Sequence, residues 1–345
     1  MTRDIKSLYT DELKSVFKDM GLESYRASQV FKWLHAGKVT SFDEMTNLSV
    51  KLREELSKEF DIIALKIELM QESAQDGTRK YLFKLSDENY VESVLLPYEH
   101  GNSVCVSSQV GCRMGCKFCA STLNGLTRNL TASEILDQIY AIERDTGKRV
   151  SNIVVMGTGE PLDNYDNLIR FIKLVSDENG LNISKRNITV SSCGICENIK
   201  RLANEDLPIT FALSLHAVTD EKRREIMPIA NKYTIAELMD AVRYYFDKTG
   251  RRVTFEYSLI EGVNDTDEDA AGLAYLAGGV HAHVNLIPVN PIKERDYRQT
   301  SRRGVEAFKN KLEKSRINVT IRREMGRDID GACGQLRKKV IDRKT

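Results

Sequence analysis

The sequence predicts an α/β protein: a partial (β/α)6 TIM-like barrel with a small N-terminal helical accessory domain, the two joined by a β-hairpin linker. Three observations point there. Beyond Gly101, six strand-like runs alternate with amphipathic or charged helical stretches, and parallel neighbours each need such a crossover. Residues 1–60 carry the 3.6-residue apolar period of helices instead. Glycines and small polar residues fall directly after the strands, where parallel α/β folds build their sites.

Leu13, Val16, Phe17 and Met20 stand at i, i+3, i+4 and i+7, with Gly21 placed to end that helix. Ala27, Val30, Phe31 and Leu34 repeat the spacing before Gly37. A third helix starts at Ser49 and carries Leu52, Leu56 and Phe60. Nothing in this module looks chemical. From about residue 62 to residue 97 the period turns strand-like. Tyr81-Leu82-Phe83 and Tyr90-Val91 flank the turn-prone Ser86-Asp87-Glu88-Asn89, which predicts a hairpin. The expected division is therefore 1–60 helical accessory domain, 61–99 hairpin extension and 100–345 core. The core strands are expected at 103–107, 152–156, 187–191, 209–213, 253–257 and 283–287. The stretch from 101 to about 315 is short for an eight-stranded barrel, so a partial barrel fits better. Pattern alone leaves a doubly wound sheet open.

Composition sets limits on function. Of 345 residues, 41% are hydrophobic and 29% charged, as in a globular protein with a sizeable core. Lys and Arg number 51 against 50 Asp and Glu, a net charge of +1. No whole-molecule field draws nucleic acid, so an RNA footprint must be local. No apolar run is long enough to span a bilayer, and Met1-Thr2-Arg3-Asp4-Ile5-Lys6 lacks the apolar core of a signal peptide. A cytoplasmic protein with no membrane partner is expected. Reducing compartments keep thiols unpaired, so seven cysteines, three of them clustered, point to cofactor or redox chemistry.

The cluster is Gly111-Cys112-Arg113-Met114-Gly115-Cys116-Lys117-Phe118-Cys119, a C-x3-C-x2-C spacing. Three thiolates suit an iron–sulfur cube and leave one iron open to a small molecule. Three other readings of the spacing stand beside it: one apolar helix face, which Gly111 and Gly115 oppose; a zinc site, which usually takes four ligands; and unrelated buried thiols. Gly157-Thr158-Gly159-Glu160-Pro161 ends a strand in glycines, where backbone approaches a ligand and a carboxylate can take an ammonium.

With Phe118 directly before Cys119, the cysteine motif resembles the radical S-adenosylmethionine (SAM) signature. Together with Gly157–Pro161 and the ending Ala332-Cys333-Gly334-Gln335-Leu336, the chain resembles RlmN-type adenine-C2 methyltransferases along nearly its whole length. The resemblance implies a barrel of the radical SAM type. It implies one [4Fe–4S] cluster on Cys112, Cys116 and Cys119, and SAM held by Gly159, Glu160, Ser191, Ser214, Leu215, His216 and Asn290. Read without it, His216 is a satisfied structural histidine.

The same resemblance implies a methyl relay that consumes two SAM molecules. One methylates Cys333; a radical from the second activates that S-methyl group, which adds to adenine. Cys105 then resolves the adduct through a transient disulfide with Cys333, and Glu92 accepts the ring proton. Adenine C2 is electron-poor, so direct methyl transfer fails there and radical addition avoids the obstacle. Read alone, Cys105 is a small buried hydrophobe and Glu92 an exposed strand carboxylate, while Gly331 and Gly334 suggest an exposed segment around Cys333.

By resemblance the substrates are 23S ribosomal RNA and tRNA, with a low-potential electron donor such as flavodoxin or ferredoxin. The helical domain is expected to assist RNA recognition by shape. Basic runs at Lys222-Arg223-Arg224, Arg302-Arg303, Arg322-Arg323 and Arg337-Lys338-Lys339 are candidate phosphate contacts. Glu160-Pro161 looks like the RlmN type rather than the C8-directed Cfr type, which remains the alternative, along with a non-catalytic RNA-binding protein holding iron–sulfur or zinc. Cys193 and Cys196 form an extra C-x2-C, read as core packing beside Ser191 rather than a redox pair or second metal site.

Overall fold

The structure, a computed structural model, describes residues 3–332 and Gln335. Three helices open it: α1 (Thr10–Asp19), α2 (Ser24–His35) and α3 (Val50–Glu59). Ser49 caps α3 by accepting the Leu52 N–H at 3.3 Å. The predicted apolar positions Leu13, Phe17, Ala27, Val30, Phe31, Leu34, Leu52 and Leu56 are all buried.

Ten strands then form a single sheet in which spatial order follows chain order. The first four are β1 (Lys66–Glu72), β2 (Arg79–Lys84), β3 (Tyr90–Tyr98) and β4 (Gly101–Cys105), paired antiparallel. Next come β5 (Val150–Val155), β6 (Ile188–Ser192) and β7 (Thr210–Ser214). The last are β8 (Thr254–Leu259), β9 (His283–Pro288) and β10 (Val319–Ile321). From β4 onward every pairing is parallel. The main crossovers are α4 (Ala132–Thr146), α5 (Tyr165–Val175), α6 (Cys196–Ala203), α7 (Asp220–Ile226), α8 (Ile235–Thr249), α9 (Asp267–Gly278) and α10 (Arg302–Lys314).

A doubly wound sheet reverses its strand order at a switch point. This sheet does not, and right-handed crossovers then place all the helices on one face. The β1 and β10 edges do not pair with each other, so the barrel is partial, as expected. Two features were not legible in advance. A seventh parallel strand, β10, follows the predicted six; three residues are too few to show a period. The predicted hairpin gains a third strand, β1, and joins the barrel sheet itself through β3, with Val94 opposite Cys105.

Side chains alternate across the sheet. Val104, Val106, Phe211, Leu213, Phe255, Tyr257, Val284 and Leu286 enter the main core. Their neighbours Cys105, Ser214, Glu256 and Ile287 face the pockets inside the barrel.

Two buried polar contacts dock the N-terminal helices on α4. Lys6, fully buried, reaches Asp137 at 2.7 Å, and Asp137 also accepts the Leu65 N–H at 2.7 Å and the Arg144 guanidinium at 3.1 Å. His35 of α2 pairs through Nδ1 with the Tyr140 hydroxyl at 2.8 Å. Its Nε2 has no partner among the described residues. Burial, helped by the nearby Lys6 charge, pulls the His35 pKa from 6.5 to about 3.

A histidine held neutral in the fold protonates first in the unfolded chain. Stability is therefore full above pH 6.5 and falls as the pH drops from there towards 3, by up to about 1.4 kcal/mol per pH unit. His35→Gln removes one such group. Urea unfolding at stepped pH should show a shallower acid slope for it than for the parent chain.

Candidate active site

The strand ends open on a cavity of about 1000 Å³, counting its mouth. Cys112, Cys116 and Cys119 line it from the loop between β4 and α4. That loop is not helical around the three cysteines, which removes the helix-face reading. Gly111 lies at φ 75°, where an added Cβ would stand 2.0 Å from the Gly125 carbonyl. That contact lets the Cys112 N–H reach the Gly125 oxygen at 2.9 Å. The Thr122 hydroxyl donates to the Cys116 and Cys119 carbonyls at 3.0 and 2.9 Å, and the Lys117 N–H to Ile226 at the end of α7 at 2.9 Å.

Burial pushes the Cys112 thiol up to about 12 and the Cys116 thiol well above its usual range. The fold alone thus favours neutral thiols, and a bound metal supplies the charge that deprotonates them. Among the described residues, no three His, Cys, Asp or Glu side chains converge to hold a metal ion. Three soft thiol donors on one wall of the cavity are a donor set that fits iron in an iron–sulfur cluster.

Opposite them, Gly159 adopts φ 109° with its Cα against Gln109. The Glu160 N–H donates to the Gln109 side chain at 2.8 Å. Its carboxylate, 3% exposed, accepts the N–H groups of Leu162 at 3.0 Å and Cys193 at 2.8 Å. Burial raises its pKa. No cation among the described residues pairs with it, so a ligand ammonium has a place there.

Ser191 and Ser214 face the cavity with hydroxyls 3.2 Å apart. His216, at φ 57°, accepts the Ser258 N–H at Nδ1, 2.9 Å away, and sets its ring edge-on to Phe118. Burial, and then Arg223, lower its pKa from 6.5 to about 3, so it is neutral. Leu215 is different: strand alternation sends its side chain into the main core, and it does not line the cavity.

A second pocket of about 590 Å³ adjoins the first, sharing Met156, Ile287, Asn290 and Arg322. Val94, Leu96 and Cys105 line it, together with Gly331 and Ala332. Cys105 is buried, and no disulfide joins any two of the six described cysteines. The disulfide expected of Cys105 is therefore not formed among them; its partner, Cys333, lies outside the described residues. Glu92 is buried rather than strand-exposed, two residues before Val94 on the same face of β3. It lines neither pocket. Lys80 stands 3.7 Å from its carboxylate and reaches the Asp330 carbonyl at 3.4 Å.

The basic runs fare unevenly. Arg223 is fully buried and Lys222 is bonded to Asp269 at 2.7 Å, which leaves Arg224 as the exposed member of that run. Arg302 and Arg303 are exposed. Arg322 and Arg323 line the second pocket, and 337–339 lie outside the described residues. Cys193 lines the main cavity and Cys196 belongs to the main core. The sequence reading missed Glu256, which lines the cavity and accepts from Asn285 at 2.8 Å. A carboxylate inside the apolar run Phe255-Glu256-Tyr257 was the available signal.

Known proteins resemble this chain over its whole length. Residues 106–274 match the Radical SAM superfamily, and residues 4–62 match the ribosomal RNA large subunit methyltransferase N-terminal domain. A probable dual-specificity RNA methyltransferase RlmN of Lachnospira eligens is 63% identical over 339 residues, covering 98% of this chain and 97% of that protein. Its counterpart in Lachnoclostridium phytofermentans is 59% identical over 340 residues, covering 99% and 96%. The crystal structure of a radical SAM methyltransferase from Sphaerobacter thermophilus superposes with a TM-score of 0.93 at 41% identity, covering 97% of this chain and 99% of that one.

Gly159→Ala tests the strand-end loop. An added Cβ would stand 2.8 Å from the Gln109 backbone nitrogen, so a loss of about 2–4 kcal/mol is expected in denaturant unfolding. Gly147→Ala, left-handed but with nothing within 4 Å, should lose only about 1 kcal/mol.

Proposed function

The chain belongs to the RlmN family of radical SAM RNA methyltransferases, and from that premise we propose that it methylates C2 of an adenine in 23S ribosomal RNA and in tRNA. The observation that carries the route is the second pocket. Its wall joins Cys105 to Gly331 and Ala332, the residues leading into Cys333, and it opens through Asn290 and Arg322 onto the cavity of the three clustered cysteines.

Cys112, Cys116 and Cys119 would hold the [4Fe–4S] cluster, and Glu160, Ser191, Ser214 and Asn290 the SAM. The cluster and SAM, when bound, supply the electron and the carbon radical that the chemistry needs. The chain's own residues handle the carbon. The Cys333 sulfur takes a methyl group by nucleophilic displacement and presents it to the base. The S-methyl group loses a hydrogen atom to the carbon radical, and its carbon joins C2. The Glu92 carboxylate accepts the ring proton, and the adduct's unpaired electron leaves to the one-electron carrier that the cluster would supply. Cys105 then attacks the Cys333 sulfur: a disulfide forms, the carbon–sulfur bond breaks, and the methylene takes up a proton to become the methyl. Lys80 stands 3.7 Å from the Glu92 carboxylate.

The target base must leave its stack to enter, at about a few kcal/mol. The exposed Arg302 and Arg303 are candidate backbone contacts, and the segment 1–60 is assigned to RNA recognition. A flavodoxin or ferredoxin supplies the electrons. The 61–99 strands serve to place Glu92 beside the core.

Anaerobically reconstituted protein, given SAM, a reductant and RNA, should yield 2-methyladenosine in nucleoside mass spectrometry. 8-Methyladenosine in its place overturns the C2 assignment. Cys333→Ala should abolish product, and undiminished turnover would sink the relay. Cys105→Ala should stall with RNA covalently attached, visible as a shifted band on a denaturing gel. Glu92→Gln should retain SAM cleavage while methylation slows by about 100-fold or more.

A further inference from the structure

Arg223, on α7, has a fully buried side chain. Its guanidinium donates to the carbonyls of Cys193 at 2.6 Å, Leu215 at 3.1 Å and Ser214 at 3.4 Å. Nη1 has no hydrogen-bond partner among the described residues, and no carboxylate there stands at ion-pair distance. Lys6, equally buried, sits 2.7 Å from Asp137. A buried cation without a counter-ion is costly, and three carbonyl dipoles offset only part of that.

Three cysteines, Cys193, Cys116 and Cys196, are among the groups whose charge acts on Arg223, together with Asp220. Cys193, whose carbonyl it holds, lines the main cavity with Cys112, Cys116 and Cys119. Cys116 and Cys193 pack in one small apolar group with Ile226 and Met227, at the end of α7. That same helix end accepts the Lys117 N–H, inside the cysteine motif. The helix carrying the cation is therefore bonded to the loop carrying the thiols.

We propose that Arg223 is the counter-charge of the iron–sulfur cluster, a fixed buried cation that stabilises the loaded state and most of all its reduced form. The inference rests on the cluster assigned above to Cys112, Cys116 and Cys119. Three thiolates around an iron–sulfur core leave net negative charge, and one-electron reduction adds one more. A fixed cation nearby favours that product, so it raises the reduction potential. Glu160 is the competing counter-ion, because the Cys193 backbone donates to it and accepts from Arg223. In that case Arg223 would act on SAM binding rather than on the cluster.

Wild type, Arg223→Met and Arg223→Lys are reconstituted anaerobically with iron and sulfide. Iron content is measured, the midpoint potential is followed by electron paramagnetic resonance without SAM, and the metal-free proteins are unfolded thermally. Arg223→Met should reduce about tenfold less favourably, a fall of about 59 mV for a one-electron couple. Arg223→Lys should restore most of that shift. Metal-free Arg223→Met should fold and be at least as stable as metal-free wild type, since it no longer buries an unpaired charge.

An unchanged potential at equal iron content overturns the proposal. So does an unchanged potential with weakened SAM affinity, which makes Glu160 the partner. Metal-free Arg223→Met that does not fold also overturns it, leaving Arg223 a structural strut. A wild-type protein that takes up no iron is a separate failure, of the cluster assignment itself, seen before any variant is compared.

Discussion

The backbone of Cys193 joins two buried charges of opposite sign. Its N–H meets the Glu160 carboxylate at 2.8 Å and its carbonyl meets Arg223 at 2.6 Å. Glu160 follows β5, Cys193 follows β6, and Arg223 lies on the helix after β7. One short chain of polar contacts therefore ties three successive strand ends around the cavity. Neither charge has a side-chain counter-ion among the described residues, and both stand at the wall of a cavity lined by thiols. The mouth of this barrel is electrostatically incomplete by itself, as a site for charged cofactors has to be.

The period of the strands decides which residues reach that mouth. From β3 to β9, one set of side chains builds the core with the helices and the alternate set lines two adjoining pockets. Val94 and Cys105 are directly opposed across β3 and β4, so Glu92, two residues earlier, shares that inner face. In the proposed relay a methyl carrier working between the pockets would have the candidate SAM-binding groups on one side and Cys105 on the other. Met156, Ile287, Asn290 and Arg322 stand at the boundary.

Helix α4 connects this chemistry to the N-terminal helices. Its Asp137 and Tyr140 receive Lys6 and His35. One residue after Asp137, the side-chain amide oxygen of Gln138 accepts the Ser93 hydroxyl at 2.5 Å and the Ser107 N–H at 2.8 Å. The Ser107 hydroxyl in turn donates to the Glu92 carbonyl at 2.6 Å and accepts the Thr158 N–H at 2.9 Å. A single helix thus seats the accessory module, the strand of the proposed base and the glycine loop of the proposed SAM site.

Much of this was legible in the chain itself. The cysteine spacing, the glycines before Glu160 and the strand–helix alternation are local signals, because coordination spacing, tight backbone approach and periodicity all operate over a few residues. So the barrel class, the three-helix start, the cysteine cluster and the Gly159-Glu160 turn could be read directly, whereas Ser191, Ser214, His216 and Asn290 were reached only through the family resemblance. Other features depended on which strands lie side by side. Burial of Glu92 next to Lys80, the inward turn of Glu256 and the pairing of β3 with β4 are contacts between distant segments, and no local pattern encodes them. Leu215 shows the limit within one motif: its neighbours Ser214 and His216 face the cavity while its own side chain enters the core, because alternation turns it away. Arg223 shows it most sharply. In sequence it is the middle of a basic run, and only the packing of α7 beneath the cysteine loop turns a presumed surface charge into a buried one.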